Sequence, residues 1–477
     1  MQRALGEVMR SSHNAIIAAV FLAEVSATFE TSMLYAALPT LIRTFGDPIT
    51  AGWLVTIHML IGTVACIVAG RLGDMYGRRK VMLILLAVAA IGSLVSAVTT
   101  DFGLVLFGRA LQGLASAAIP LSIGILRENL PEERLPVAVG LMTTAQGMGV
   151  AIGLVLGGAI IDNLSWHWLF VASGILLVVS YIVIRFVVPV RPGTPPSEKI
   201  DWVEGLLPAP AIGAVLLGLS LSKTYGWLDP RCYAVVAAGA ALMAVWARRS
   251  LRAREPFINL RLLGDRNIAV ANLAAVLLGL GSAQIVFVFS TYMQAPAWTM
   301  VGLGFSATLA GFAKLPSNVL SFFAGPLSGW LALRHSVRLP IVVGGLMAAV
   351  GWLAGMTLPN TLIQMIALLC LISFGTTLLN AALPMVIVES ATPDRTSEAI
   401  GAMSVIRGIC AAVGTQMIAL ILATDMIAAP VGGALFPSPA SYRLTMACIA
   451  ALSLAAGLAG LLLAVRRRVP ATAVAAE

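Results

Sequence analysis

Charge is scarce in this sequence: charged residues make up 11% of 477, hydrophobic residues 59%, and the mean hydropathy is +0.95. A water-soluble chain of this length carries roughly a quarter charged residues. A soluble fold is therefore excluded, and an all-α polytopic membrane protein is implied. Cysteine is scarce too. Cys66, Cys232, Cys370, Cys410 and Cys448 stand apart, mostly inside apolar runs, and read as small packing residues. No CxxC or Cys/His ligand spacing is present, so neither a metal nor a cofactor is expected. The GxxxxGK[ST] phosphate loop is missing, so ATP hydrolysis is excluded. HExxH and paired Asp-rich motifs are missing as well, which leaves a membrane-embedded enzyme without its machinery. No filter-like repeat of carbonyls or charged rings supports a channel. No short repeat is present either, which excludes collagen-like and low-complexity chains.

Long apolar runs are what the chain has. A helix needs roughly 20 apolar residues to cross a bilayer. Runs of that kind lie near 14–38, 50–70, 81–99, 102–126, 136–161 and 167–188, then 205–222 and 232–248. Six more lie near 267–292, 304–333, 339–357, 361–388, 398–423 and 441–465. The pattern predicts fourteen spans: a six-helix bundle at 1–188, a linker with two inserted spans at 189–266, and a second six-helix bundle at 267–477. Arg3 and Arg10 precede the first run, which is too long for a cleaved signal peptide and reads as a retained span. With the N-terminus cytoplasmic, 23 of the 30 Lys and Arg fall inside and only Arg43, Lys223, Arg231 and Arg443 fall outside. That asymmetry predicts both termini in the cytoplasm, and it accounts for the net charge of +9 without a nucleic-acid partner.

The two bundles repeat each other. RLPVAVGLMTTAQGMGVAIG from Arg134 and RTSEAIGAMSVIRGICAAVG from Arg395 align at an offset of 261. Identities fall at Arg134/Arg395, Ala138/Ala399, Gly140/Gly401, Met142/Met403, Gly147/Gly408, Ala151/Ala412 and Gly153/Gly414. Duplicated halves around a mid-membrane site are a common transporter plan.

The loop after the second run reads GRLGDMYGRRKVM, with Gly70, Gly73 and Gly77 permitting a short turn and Arg78, Arg79 and Lys80 holding it inside. This string resembles the signature loop of the major facilitator superfamily. Its degraded second-half counterpart is GWLALRHSVR, Gly329 to Arg338. RALQG, Arg109 to Gly113, resembles the fourth-span arginine motif of that superfamily. ETSMLYAALP, Glu30 to Pro39, resembles the first-span motif of its fourteen-span drug:proton antiporter branch, with Glu30 in the aspartate place. GVAIGLVLGG, Gly149 to Gly158, resembles the antiporter motif but has Leu154 where proline is usual. The resemblance implies the major facilitator fold and export of drugs or other amphipathic molecules against proton entry. Multidrug efflux and antibiotic resistance go with it, and a bacterial inner membrane and a monomer are expected. The Leu154 departure argues for the alternative, a proton-independent uniporter or importer of an amphipathic or anionic solute. The resemblance also implies that the Asp74 loop clamps the cytoplasmic side against the region of Ser397 when the transporter opens outward.

Glu24 and Glu30 are the acids well inside the runs. A charge at mid-bilayer costs roughly 2.5–3.5 kcal/mol, so such residues are functional candidates. At 1.5 Å rise per residue, Glu30, Arg109 and His58 lie roughly 13, 10 and 12 Å below the outer surface. That shared depth predicts one cluster. Paired with Arg109, Glu30 would stay ionised; with the partner withdrawn, it would bind a proton. Glu24, roughly 16 Å above the inner start, is a second candidate for the proton, and His58 for a relay. Lys314 and Arg407 are expected either to face anionic substrate groups or to pair with the acids. Gln112, Gln284 and Asn380, with Gln146, Asn272 and Asn318, are candidate cavity-lining groups. Phe287, Phe289, Tyr292, Phe305 and Phe312 are a candidate stacking wall. Gly149, Gly153, Gly157 and Gly158 are expected to let the fifth span press on another helix, the eighth of the superfamily core being the named partner.

Overall fold

The computed structural model describes residues 2–131, 133–193, 202–226, 229–253, 260–390, 396–429 and 435–464. The expected apolar runs are helices. The N-terminal half holds α1 (Gln2–Phe45), α2 (Pro48–Tyr76), α3 (Arg78–Ala97), α4 (Phe102–Gly113), α5 (Ala118–Asn129), α6 (Leu135–Asn163) and α7 (His167–Val187). Next come α8 (Trp202–Leu206), α9 (Pro208–Tyr225) and α10 (Pro230–Arg252). The C-terminal half holds α11 (Arg266–Leu280), α12 (Ile285–Gln294), α13 (Ala307–Arg334), α14 (Arg338–Gly355), α15 (Leu362–Ser390), α16 (Thr396–Leu422) and α17 (Pro439–Ala459). One span in each half is interrupted by a 3₁₀ turn: Leu114–Ala117 between α4 and α5, Ser282–Gln284 between α11 and α12.

Among the described residues, twelve helical segments are long and apolar enough to cross a membrane. This is a multi-pass membrane protein. Two of the fourteen expected spans fall outside that set: α9, whose apolar part Pro208–Ser222 is short, and α13. Local chemistry sets the ends. Asp47 accepts from the amides of Ile49 and Thr50 at 2.8 and 3.1 Å and, with Pro48 behind it, starts α2. Asp101, Asp265, Ser306 and Ser438 cap α4, α11, α13 and α17 in the same way. Gly77 separates α2 from α3 at φ +90°, a backbone that side chains resist. A two-stranded hairpin not expected from the sequence, β1 (Met426–Ala428) against β2 (Leu435–Pro437), joins α16 to α17, and Phe436 packs edge-on to Trp298.

The duplication is visible in the packing. Gly153 of α6 lies against Phe29 and Ser32 of α1, and Gly414 of α16 lies against Gly279 and Leu280 of α11. Each repeated glycine thus seats the fifth span of its half on the first. The same two helices join the halves. Gly158 of α6 meets the backbone of Ala307 on α13, and the carbonyl of Leu154 lies against Gly311. At the related seam Gly52 of α2 meets Ala419 of α16, and Gly408 meets Thr63. Bare α-carbons allow helix axes to approach this closely. The expected contact with α13 is therefore made by Gly158, whereas Gly149, Gly153 and Gly157 face Val25 to Met33 of α1.

Among the described residues, a set of polar contacts between the halves runs from mid-helix to the surface where α1 ends, here named the Phe45 face. Ser290 donates to the Tyr35 carbonyl at 2.6 Å and Gln294 to the Ala36 carbonyl at 3.0 Å. Gln416 bonds Thr56 and the Ile49 carbonyl, both at 3.3 Å. At the opposite, Asp74 face, Asp74 is half exposed and is paired within its own half.

Candidate functional site

Glu30, Arg109 and Gln112 are fully buried and belong to one hydrogen-bonded network in the N-terminal half. The crossing of α3 over α4 builds it. A Cβ on Gly92 would stand 2.5 Å from the carbonyl of Gly108, so only glycines allow this approach. The crossing sets Ser93 of α3 beside Gln112 of α4, whose amide donates to the serine hydroxyl at 2.7 Å. Ser93 donates to Glu30 Oε1 at 3.4 Å, and Ser173 of α7 donates to the same oxygen at 2.6 Å. Arg109 donates through Nη1 to Gln112 Oε1 at 2.8 Å and through Nε to the Leu54 carbonyl at 3.1 Å.

The expected cluster of Glu30, Arg109 and His58 is present, but its bonding differs from a plain ion pair. Arg109 reaches the backbone carbonyl of Glu30, at 3.4 Å, and not its carboxylate. Serines hold the acid; a carbonyl and an amide hold the guanidinium. Glu30 Oε2 and Arg109 Nη2 each lack a protein partner. Hydroxyls both donate and accept, so the serine shell fits a carboxylate or a carboxylic acid alike. His58 Nε2 and Thr31 Oγ1 lie 3.0 Å apart, one residue along α1 from Glu30. Glu24 is fully buried with both carboxylate oxygens unbonded; Gln146 of α6 and Cys66 of α2 are its polar neighbours.

In the C-terminal half, Lys314 donates to Ser317 at 2.7 Å and to Ser373 of α15 at 2.5 Å. Arg407 donates to Asn380 Oδ1 at 2.5 Å. Neither cation pairs with Glu24, Glu30 or another acid among the described residues, so one of the two expected alternatives is corrected. Gln284 is spent on structure: it donates to the carbonyls of Gly279 and Ala411 and accepts from Thr415. Phe287 is fully buried. Phe289 stacks on Trp352, and Tyr292 packs edge-on to Tyr442 while donating to the Pro359 carbonyl. These rings belong to an apolar core that both halves share, Phe289 also lines the cleft beside Lys314, and Phe312 is half exposed.

In the loop at the Asp74 face, Arg78 bridges Asp74 at 2.6 Å and Glu128 of α5 at 2.7 Å. Gly73 lies against Leu121 and Arg78, Gly70 is open, and Arg79 bonds the Arg185 carbonyl. The expected clamp partner near Ser397 lies outside the described side chains.

Sequence reasoning missed Ser93, Ser173 and Asp162. Serines are common in packed membrane helices, and only the fold shows which face an acid. Asp162, at the end of α6, accepts from the amides of Ala307 and Thr308 at 2.9 and 2.8 Å and so caps α13 across the seam. That role depends on a helix from the other half.

A family model described as Major Facilitator Superfamily matches residues 20–415. An uncharacterized MFS-type transporter of Mycobacterium tuberculosis is 25% identical over 80% of this chain and 66% of its own length. A multidrug resistance protein B homolog of the same species is 27% identical over 69% of this chain and 61% of its own length. Multidrug resistance protein 3 of Bacillus subtilis is 24% identical over 69% and 63%. The chain spans under two thirds of the length of these curated relatives. Among solved structures, a POT peptide transporter in complex with sulfate superposes with a TM-score of 0.68 at 13% identity, covering 94% of this chain and 93% of that one. A bacterial homolog of the human lysosomal transporter Spinster, inward-facing and unoccupied, gives 0.67 at 12% identity over 94% and 97%. These names are those of transporters, not enzymes. With a family model matched over most of its length and the same helical fold in solved neighbours, the chain belongs to the major facilitator superfamily.

Proposed function

We propose that the chain is a fourteen-span secondary active exporter of amphipathic small molecules, driven by proton entry. In this reading α9 and α13 cross the membrane with the twelve longer apolar segments, and both termini are cytoplasmic. The names of two relatives as multidrug resistance proteins support efflux. The Phe45 face is then the outer one, and the halves are joined on that side.

The observation that carries the proton reading is the buried Glu30 carboxylate held by serines, with a guanidinium in the same network but not on it. An intramembrane acid of this kind is a functional group by default. The serine shell accommodates both protonation states, and Arg109 is placed to take the ionised form when the halves rock. Proton loading and the change of access are then one event. Glu24, unbonded and deeper along α1, is the second acid available to the same pathway.

The test is transport by purified protein in sealed proteoliposomes. Glu30→Gln is expected to lose pH-gradient-driven transport while keeping downhill exchange of substrate. Wild-type coupling in that variant would remove Glu30 from the mechanism. A wild-type protein that moves substrate without moving protons would favour the uniporter, the reading that the Leu154 departure supports.

A further inference from the structure

Among the described residues, the two intramembrane cations of the C-terminal half have no counter-charge. Lys314 is 6% exposed, and its bonded neighbours are the hydroxyls of Ser317 and Ser373. Arg407 is bonded to the neutral amide of Asn380. Both sit at the seams between halves. Lys314 lines a small cleft with Ala36 and Leu154 from the N-terminal half and Ser290 and Met293 from the C-terminal half. Arg407 precedes Gly408, which lies against Thr63 of α2. Their partners Ser373 and Asn380 are seven residues apart on α15. Seven residues turn a helix by almost two full turns, so both occupy one face, roughly 10 Å apart along the axis. Asn380 and Arg407 stand nearer the Asp74 face; Ser373 and Lys314 stand nearer the Phe45 face.

A buried charge is normally paired. Among the described residues the bonded partners of each cation are neutral, and neither Glu24 nor Glu30 is paired with them. We infer that Lys314 and Arg407 are two successive stations for the acidic headgroup of an amphiphile, a carboxylate or phosphate on an apolar tail, which passes from Arg407 to Lys314 as it crosses. The apolar residues of the seams accompany the tail. This inference rests on the reading of the chain as a transporter with its pathway between the halves, and it names the substrate class that such a pathway takes.

The test is equilibrium binding to the full chain in phosphatidylcholine nanodiscs without any gradient, read as energy transfer from tryptophan to dansyl. The probes are a dansyl-tagged undecanoate, its methyl ester, and the trimethylammonium compound of the same chain. The wild type is expected to bind the acid about tenfold or more tightly than the other two, the scale of one charge-assisted contact. Lys314→Gln and Arg407→Gln should each reduce acid binding by a similar factor and leave ester binding unchanged, which also reports folding. Lys314→Arg should keep the preference. Equal binding of the ammonium and the acid by the wild type, or an intact preference in both glutamine variants, would overturn the assignment. Phosphatidylglycerol titrated into the discs displaces the acid if membrane lipid supplies the anion and leaves it bound if a diffusible amphiphile does; either result retains the site and fixes its source. Glu30→Gln should bind the acid as the wild type does, so failure of proton coupling and failure of this site read out separately.

Discussion

At the scale of single residues, the central fact is how a guanidinium and a carboxylate share a buried network without touching. Arg109 uses the fork of its side chain: Nε on the Leu54 carbonyl, Nη1 on Gln112. Lysine carries the same charge but not that geometry. Arg109→Lys is therefore expected to insert and fold yet to lose most transport, measured as initial rate at equal surface expression. Wild-type rates in that variant would show that charge alone matters. Ser173→Ala removes the 2.6 Å contact to Glu30. A hydrogen bond to a charged group is worth about 1.5–3 kcal/mol, so the pH profile of transport should move while binding of a neutral substrate does not. The candidates Glu30, Arg109 and His58 were legible in the sequence because charge and histidine stand out in an apolar background. Their serine partners were not legible, since a hydroxyl announces nothing until the fold shows what it faces.

At the scale of helices, two seams of small residues carry the joining of the halves. Gly158 against Ala307 leaves no room for a side chain. Gly158→Leu should part α6 from α13 on this side, at a cost of about 1–3 kcal/mol, the usual penalty of overpacking. Asp162 adds a polar latch to the same seam through the first amides of α13. Asp162→Ala removes both bonds and is expected to shift the population toward opening at the Phe45 face by about tenfold, since about 1.4 kcal/mol is that factor. Spectroscopic distances between labels across the Phe45 face would check both variants; unchanged distances would make the seam mere packing. The glycine run of α6 was legible as a contact surface, but its division between α1 and α13 was not. Spacing alone does not say which neighbour each glycine meets. The aromatic residues of α12 were legible as a stacking surface, but not the rings of Trp352 and Tyr442 that pack on them.

At the scale of the whole molecule, the positions of the spans followed from apolar runs, because a bilayer leaves a chain few options besides long helices. The hairpin of β1 and β2 has strands of three residues each, too short for periodicity to appear. The basic-residue asymmetry makes a topological prediction. Ser165→Cys, at an exposed position near the Phe45 face, should react with an impermeant thiol reagent in intact cells, and Tyr76→Cys only after permeabilisation. The reverse pattern would invert the molecule. The most direct measurement of the central claim is proton release when substrate is added to purified protein in weak buffer. The wild type should release protons on binding, Glu24→Gln and Glu30→Gln should show which acid supplies them, and Glu30→Gln is expected to release none. Release from Glu30→Gln equal to that of the wild type would contradict the account.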